Sequence, residues 1–164
     1  MKIVVDELIA VATEQAEETF LDPEFYAGLG ALGAIAPPEL RSLARSEHHA
    51  TAVVAYRFSG QLNGPARRLL DPAKLSWAQV TEMDLETHRA QVTMVPDNYA
   101  NLLSFAGWYE LSDAGPGRCR QHLEADLRVH VPLLGPLAER ALATSVRDNL
   151  AGTARLVESF AGQR

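Results

Sequence analysis

Few residues in this chain have the types and spacing that chemistry demands. The five histidines, His48, His49, His88, His122 and His130, form no H-x-x-x-H or H-E-x-x-H pair. His122 and His130 fall on one face of an expected strand, but eight residues of strand span roughly 26 Å, too far to share a metal. Glu82, Asp84 and Glu86 alternate as an acidic row and read as a solvated strand face. Cys119 is the single cysteine, so no intramolecular disulfide exists, and its position reads as inert packing. Gly28-Leu29-Gly30-Ala31-Leu32-Gly33 spells G-x-G-x-x-G, but helix precedes it where a dinucleotide site needs strand. There is no G-x-S-x-G elbow for nucleophilic catalysis. No metal, cofactor or catalytic site is expected from these residues.

The elements that carry them follow from periodicity. Arg118–Val131 alternates over its whole length, with Cys119, Gln121, Leu123, Ala125, Leu127 and Val129 on one face and charged or polar residues on the other. That pattern is a strand with one dry and one wet face, as in antiparallel sheet. Asp113-Ala114-Gly115-Pro116-Gly117 turns it back on Ser104–Ser112, whose Trp108 and Tyr109 point oppositely although both favour burial. Leu75–Glu86 puts Leu75, Trp77, Gln79, Thr81, Met83 and Leu85 together, and a turn at Thr87-His88 leads into Arg89–Val95 with Ala90, Val92 and Met94 inward. Thr51–Leu62 groups Ala52, Val54, Tyr56, Phe58 and Leu62. Lys2–Val11 and the weaker Glu39–Glu47 complete seven strands.

Helices interrupt this series twice. Thr13 is placed to cap a helix to about Phe20, and Asp22-Pro23 to start a second one to about Leu32. A long helix is expected from Pro136 to about Phe160. Leu137, Ala138, Ala141, Leu142, Ser145, Val146, Asn149, Leu150, Thr153, Leu156 and Phe160 form its inward stripe. The expected fold is α+β: a curved, seven-stranded antiparallel sheet around a long C-terminal helix, with two short helices after strand 1. The chain reads as a single domain over residues 1–164.

Composition narrows the partners. The net charge is −6, with two lysines and scattered arginines, which argues against nucleic acid. No apolar run reaches the roughly 18–20 residues of a membrane span. The single cysteine and the absence of a signal-like leader point to the cytoplasm. A monomer or homodimer is expected.

This element order resembles the START/birch-pollen-allergen-like superfamily, also called SRPBCC or helix-grip, and an uncharacterised bacterial family within it. Two stretches carry the resemblance: the exit Leu127-Arg128-Val129-His130-Val131-Pro132-Leu133-Leu134-Gly135-Pro136-Leu137-Ala138-Glu139, and Asp22-Pro23-Glu24-Phe25-Tyr26. It implies a cavity between sheet and helix for a small hydrophobic or lipid-like ligand, and places the Gly28–Gly33 loop at the cavity mouth. Small inward groups on the long helix agree with such a space. The expected lining is Tyr56, Phe58, Trp77, Gln79, Met83, Met94, Phe105, Tyr109, Gln121, Leu123, Leu142 and Val146. The alternatives are a polyketide cyclase/aromatase-like enzyme, with Tyr56 or Tyr109 polarising a carbonyl, or an interaction protein with a filled core.

Overall fold

A computed structural model describes residues 1–30, 32–62 and 64–164. The elements run β1 (Lys2–Ile9), α1 (Thr13–Phe20), α2 (Pro23–Ala27), β2 (Glu39–Arg45), β3 (His49–Arg57), α3 (Gly64–Leu69), a 3₁₀ turn (Pro72–Lys74), β4 (Ser76–Asp84), β5 (Arg89–Pro96), β6 (Leu103–Asp113), β7 (Cys119–Val129) and α4 (Gly135–Gly162). The seven strands form one antiparallel sheet in the order β1-β7-β6-β5-β4-β3-β2. From β3 to β7 each strand pairs with its predecessor; β1 crosses the molecule to lie against β7. The expected α+β architecture, a curved sheet with a long C-terminal helix, is the one observed.

Strand faces follow the alternation read from sequence. In β7 the odd positions are the dry ones: Cys119, Gln121, Leu123, Ala125 and Leu127 are buried. In β6 the inward residues are Leu103, Phe105, Gly107, Tyr109 and Leu111, which settles the competition between Trp108 and Tyr109. Tyr109 points inward and touches all three hydrophobic clusters of the core. Trp108 points outward under the guanidinium of Arg89, 3.8 Å from the ring centroid, and beside the His122 ring at 5.4 Å. Neighbouring strands thus cover its faces by cation–π and ring contact.

Gly107 sits where the sheet closes most tightly. A Cβ there would stand 2.3 Å from the Glu124 carbonyl oxygen and 2.6 Å from Ala125 Cβ. Glycine lets β6 and β7 approach more closely than any side chain would, and the inward row beside it is small as well: Ala52, Thr81, Val92, Ala125. Close approach and small inward residues are how a sheet bends.

Helix α1 differs from the expectation at its start: Ala12 is the N-cap, without a side-chain cap bond, and Thr13 is the first helical residue, buried against the core. Its Phe20 and Ala16 join Ile9, Cys119, Ala154 and Val157 in the largest cluster. Asp22 caps α2 as expected, Oδ1 accepting from Glu24 N at 2.8 Å, with Pro23 in the first turn. However, α2 stops at Ala27 rather than near Leu32. The chain next turns tightly at Leu32–Ile35, where each of these two residues donates its N–H to the other's carbonyl at 3.0 Å around Gly33 at φ +59°. Ala31, inside the glycine-rich stretch, lies outside the described residues. Strand β3 likewise ends at Arg57, not Leu62, because Phe58 N donates to Leu75 O and Ser59 N to Ala34 O, bonds that bend the chain off the ladder. The helix α3 and the 3₁₀ turn that follow were not expected from sequence.

The long helix packs on β1, β7 and α1. The row that meets them is Ala143, Val146, Leu150, Ala154, Val157 and Ala161. This corrects the expected stripe by about one residue around the helix: Leu137 and Leu142 are exposed, at 59% and 37%. Sequence shows two adjacent apolar rows, and contact with the edge pair β1–β7 selects the one nearer that edge. Among the described residues no helix is long and apolar enough to cross a membrane.

Candidate functional site

The inner face of the sheet divides along the strands. Toward α1 and α2 the inward residues are sealed: Ala50 and Ala52 on β3, Met83 on β4, Ala90 on β5, Leu111 on β6 and Cys119 on β7 are all buried. Toward the opposite end they stay half-exposed although they face inward: Tyr56, Phe58, Trp77, Gln79, Met94 and Phe105. Helix α4 packs chiefly on β1, β7 and α1, so inward side chains on this half of the sheet keep accessible surface and leave an open gap beside the helix.

Backbone register assembles the walls of the gap. Tyr56 pairs with Trp77 across β3–β4, and their rings stack at 5.7 Å and 14°. Gln79 pairs with Met94 across β4–β5, and its Nε2 donates to Thr81 Oγ1 at 3.4 Å. Phe105 faces Leu127 on the next pair and, like Val146 and Leu150 of α4, packs against the cluster of Ile3, Val5, Leu123, Leu127 and Ala143. The Leu32–Ile35 turn closes one side. It is bridged to Phe58 through Ile35, while Leu32 and Gly33 lie against Gly152 and Asn149 of α4 at ordinary contact distance. The turn therefore spans from the end of β3 to the helix.

Of the expected lining, the structure brings Tyr56, Phe58, Trp77, Gln79, Met94 and Phe105 to the open half of the inner face and leaves Val146 half-buried on α4, while Tyr109, also half-buried, stands in the sealed half between Ala90 and Leu123. It places Met83, Gln121 and Leu123 elsewhere, in the sealed core at 5%, 5% and 4% exposure, and Leu142 at an outer margin of α4. Gln121 Oε1 is, among the described residues, the one sealed side-chain oxygen with no hydrogen-bond partner. Sequence reasoning missed Tyr26. Its hydroxyl donates to Phe20 O at 2.9 Å, and it lies close enough to Tyr56 and Tyr109 to couple electrostatically with both. Its position one turn into a capped helix was legible, but not that the helix would be carried against β2.

The tyrosines around the gap are held uncharged. Burial pushes the Tyr56 phenol up to about 12. It raises Tyr26 and Tyr109 further, helped in Tyr26 by nearby Tyr56 and in Tyr109 by Tyr26 and Glu17. All three are held as neutral phenols at physiological pH. The Tyr56 and Tyr109 hydroxyls have no partner among the described residues, and neither is sealed from solvent. No acidic or basic side chain projects from the inner face of β3–β7 between the Ala52 row and the Tyr56 row. The charged groups beyond it are engaged: Arg45 with both Glu18 oxygens at 2.8 and 2.6 Å, His88 Nδ1 with Glu17 Oε2 at 3.0 Å.

The other reactive residue types have structural duties. Cys119 is fully buried and its thiol is pushed up by that burial. Asp84 accepts from Glu86 N and Thr87 N and shapes the β4–β5 turn, bonds that hold its carboxyl below the usual range. Among the described residues no three His, Cys, Asp or Glu side chains converge as a metal site. An open depression of about 480 Å³ lies on the outer face around Trp108, Lys2 and Arg128. Its charges are spent on each other, Lys2 on Glu124 at 2.9 Å and Arg128 on Asp126 at 3.2 Å.

Residues 8–160 match the model of a family described as a protein of unknown function, DUF2505. No curated protein matches the chain. Among solved structures it is similar to an aromatase/cyclase from a Streptomyces species, at TM-score 0.68 and 13% identity over 100% of this chain and 94% of that one. A protein of Thermus thermophilus is similar at TM-score 0.66 and 15% identity, over 98% and 97% of the two chains. Norcoclaurine synthase from Thalictrum flavum is similar at 0.65 and 14%, over 100% and 87%. Likeness at such identities is likeness of fold, and the fold is the helix-grip one.

Proposed function

The chain belongs to the DUF2505 family, and we propose that it binds or carries a small hydrophobic or lipid-like molecule in the gap between the open half of its sheet and α4. The observation that carries this reading is the half-buried state of six inward residues, four of them aromatic, beside a half of the sheet where Ala50, Ala52, Met83, Ala90, Leu111 and Cys119 are sealed. Apolar walls with a few polar groups are what small-molecule sites require. Tyr56, Phe58, Trp77, Gln79, Met94, Phe105, Tyr109 and Val146 line the site in this proposal. Met83, Gln121 and Leu123 support it from beneath, and Leu142 stands at its margin. Residues 1–164 act as one domain, in the cytoplasm, as a monomer or homodimer, without nucleic acid or stable membrane insertion.

Native mass spectrometry of the purified protein against a panel of fatty acids, sterols and aromatic compounds tests the proposal. A retained species that Trp77→Ala releases is expected; a chain that retains nothing from the panel overturns it.

A second reading is an enzyme acting on such a molecule, of the polyketide cyclase or aromatase kind. The phenols of Tyr56 and Tyr109, which meet no partner among the described residues, favour it, because a neutral hydroxyl donor polarises a carbonyl. The similar structures from Streptomyces and Thalictrum are named as enzymes. If Tyr56→Phe and Tyr109→Phe both leave turnover of a discovered substrate unchanged, this reading of their roles is wrong.

A further inference from the structure

We propose that the end of the molecule where the gap opens docks reversibly on the surface of an anionic lipid bilayer. The docking needs no ligand in the gap, so its test stands apart from that of the binding reading. The contact is peripheral, since among the described residues no helix is long and apolar enough to cross a membrane.

Strand direction gathers the parts. Strands β3 and β7 end, and β4 and β6 begin, at the end of the sheet that carries Tyr56, Trp77 and Phe105. Helix α3 and the 3₁₀ turn join β3 to β4 and so hang from this end, as does the turn from β7 into α4. That last turn is closed by Gly135 N donating to Val131 O at 2.8 Å, and Leu133 stands at its tip, 99% exposed. Its φ is +66°, a left-handed conformation that glycine or asparagine adopts more easily. A bare leucine held in a costly backbone adds nothing to the core, and strain of this kind collects at functional positions. Leu137 in the first turn of α4 and Leu69 at the end of α3 are also more than half exposed.

Cations accompany these leucines. Arg67 and Arg68 precede Leu69, Lys74 follows in the 3₁₀ turn, and Arg140 lies one helical turn beyond Leu137. All four are exposed, and none has an ion-pair partner among the described residues. Acids at this end are engaged: Asp71 Oδ1 accepts from Ala73 N at 3.0 Å, Asp97 Oδ2 from Ser76 Oγ at 2.6 Å and Glu139 Oε1 from Val129 N at 3.0 Å. Asp126 is held by Arg128, which leaves Glu39, at the start of β2, against the cations. Glu17, Glu18, Glu47, Asp84 and Glu86 lie at the opposite end, on α1 and the β2–β3 and β4–β5 turns. A chain of net charge −6 thus sets unpaired cations among exposed leucines where the gap opens. Nucleic acid would use the cations and leave the leucines bare, whereas an anionic bilayer takes both. Leu133 projects from a tip instead of lining a groove, which suits a fluid surface that closes round it.

Vesicle flotation at about 0.1 M salt tests the proposal, with phosphatidylcholine alone and with a phosphatidylcholine–phosphatidylglycerol mixture. The protein is expected to float with the mixture, to stay behind with phosphatidylcholine alone, and to be released at about 1 M salt. Each cation near an anionic surface strengthens binding about fivefold, so Arg67→Gln/Arg68→Gln is expected to lose at least about tenfold. Arg118→Gln/Arg120→Gln makes the same change of charge on exposed residues at the opposite end, and is expected to lose less than about twofold. Leu133→Asn suits the left-handed backbone, so it is expected to keep or raise Tm while weakening vesicle binding several-fold. No flotation with the mixture, an equal loss from the two arginine pairs, or wild-type binding by Leu133→Asn would each overturn the proposal. Tighter capture by a single-stranded oligonucleotide than by the vesicles, unchanged in Leu133→Asn, would assign the cations to nucleic acid and overturn it as well.

Discussion

Replacing Gly107 by alanine tests the account of how the sheet is bent. The added Cβ would sit 2.3 Å from the Glu124 carbonyl oxygen and 2.7 Å from Ala125 Cα. Both are main-chain atoms, so no side-chain rotation relieves the clash, and β6 and β7 must separate at the middle of a ladder that runs from Leu103 to Asp113. Overpacking of well-filled sites costs about 1–3 kcal/mol, and a clash with fixed backbone belongs at the upper end. For a chain of 164 residues that is a fall in Tm of roughly 6–12 °C, from about 2–4 °C per kcal/mol. Gly152→Ala is the matched control. Its Cβ would meet Leu32 Cδ2 at 3.7 Å and Arg155 Nη2 at 4.0 Å, both ordinary contacts, inside α4 where alanine is the better helix former. That variant is expected to gain about 0.5–1 kcal/mol. Urea denaturation followed by circular dichroism reads both. If Gly107→Ala moves the midpoint by less than about 0.5 kcal/mol-equivalent, or the two substitutions shift it in the same direction, the close approach of β6 and β7 does not set the sheet's shape.

Two other expectations concern the core and the outer face. Ile9→Ala empties a fully buried site between Cys119, Val11 and Val157, and is expected to cost about 3 kcal/mol in chemical denaturation. His122 bridges β7 to β1 through Asp6 Oδ1 at 2.9 Å, and that bond raises its pKa in the folded protein, with Glu124 adding to the effect. Because the folded value is the higher one, the bridge contributes fully below about 6.5 and fades as pH rises through the folded value. The stability difference between wild type and His122→Asn is therefore expected to be larger at pH 6 than at pH 8, by a few tenths to about 1 kcal/mol for so exposed a pair. An equal difference at both pH values would dissociate the bridge from the histidine's charge.

Period-two patterning exposed the sheet because each strand buries one face only; the seven strands, their order in sequence and the dry face of β7 were all legible. What stayed hidden depended on residues far apart in sequence. Trp108 and Tyr109 could not be ranked from their own strand, because Arg89 on β5 and His122 on β7 make the outward position acceptable for the indole. The ends of α2 and β3 were set too far along because bonds between Leu32–Ile35 and Arg57–Ser59 override local propensity. Gly64-Pro65 was read as punctuation, though Pro in the first turn of a helix opens α3. At the site, alternation placed Tyr56, Trp77, Gln79 and Met94 inward correctly. Which inward residues are sealed is decided by where α1, α2 and α4 lie across the strands. For that reason Met83 and Leu123, indistinguishable from Met94 by pattern, belong to the solid part of the core.

The sheet order also governs when the molecule can assemble during synthesis. Strands β2 to β7 each find a partner within a few tens of residues, so that meander can form as the chain emerges. Strand β1 is made first and pairs only with β7, Lys2 opposite Asp126, so it must wait until most of the polypeptide exists. Helix α4, which rests on β1 and β7, waits longer still. Closing so long a loop is entropically unfavourable and slow. The joining of β1, β7 and α4 is thus the late event in folding. Until it happens Ile3, Val5 and Ile9, which the folded molecule buries, stay exposed.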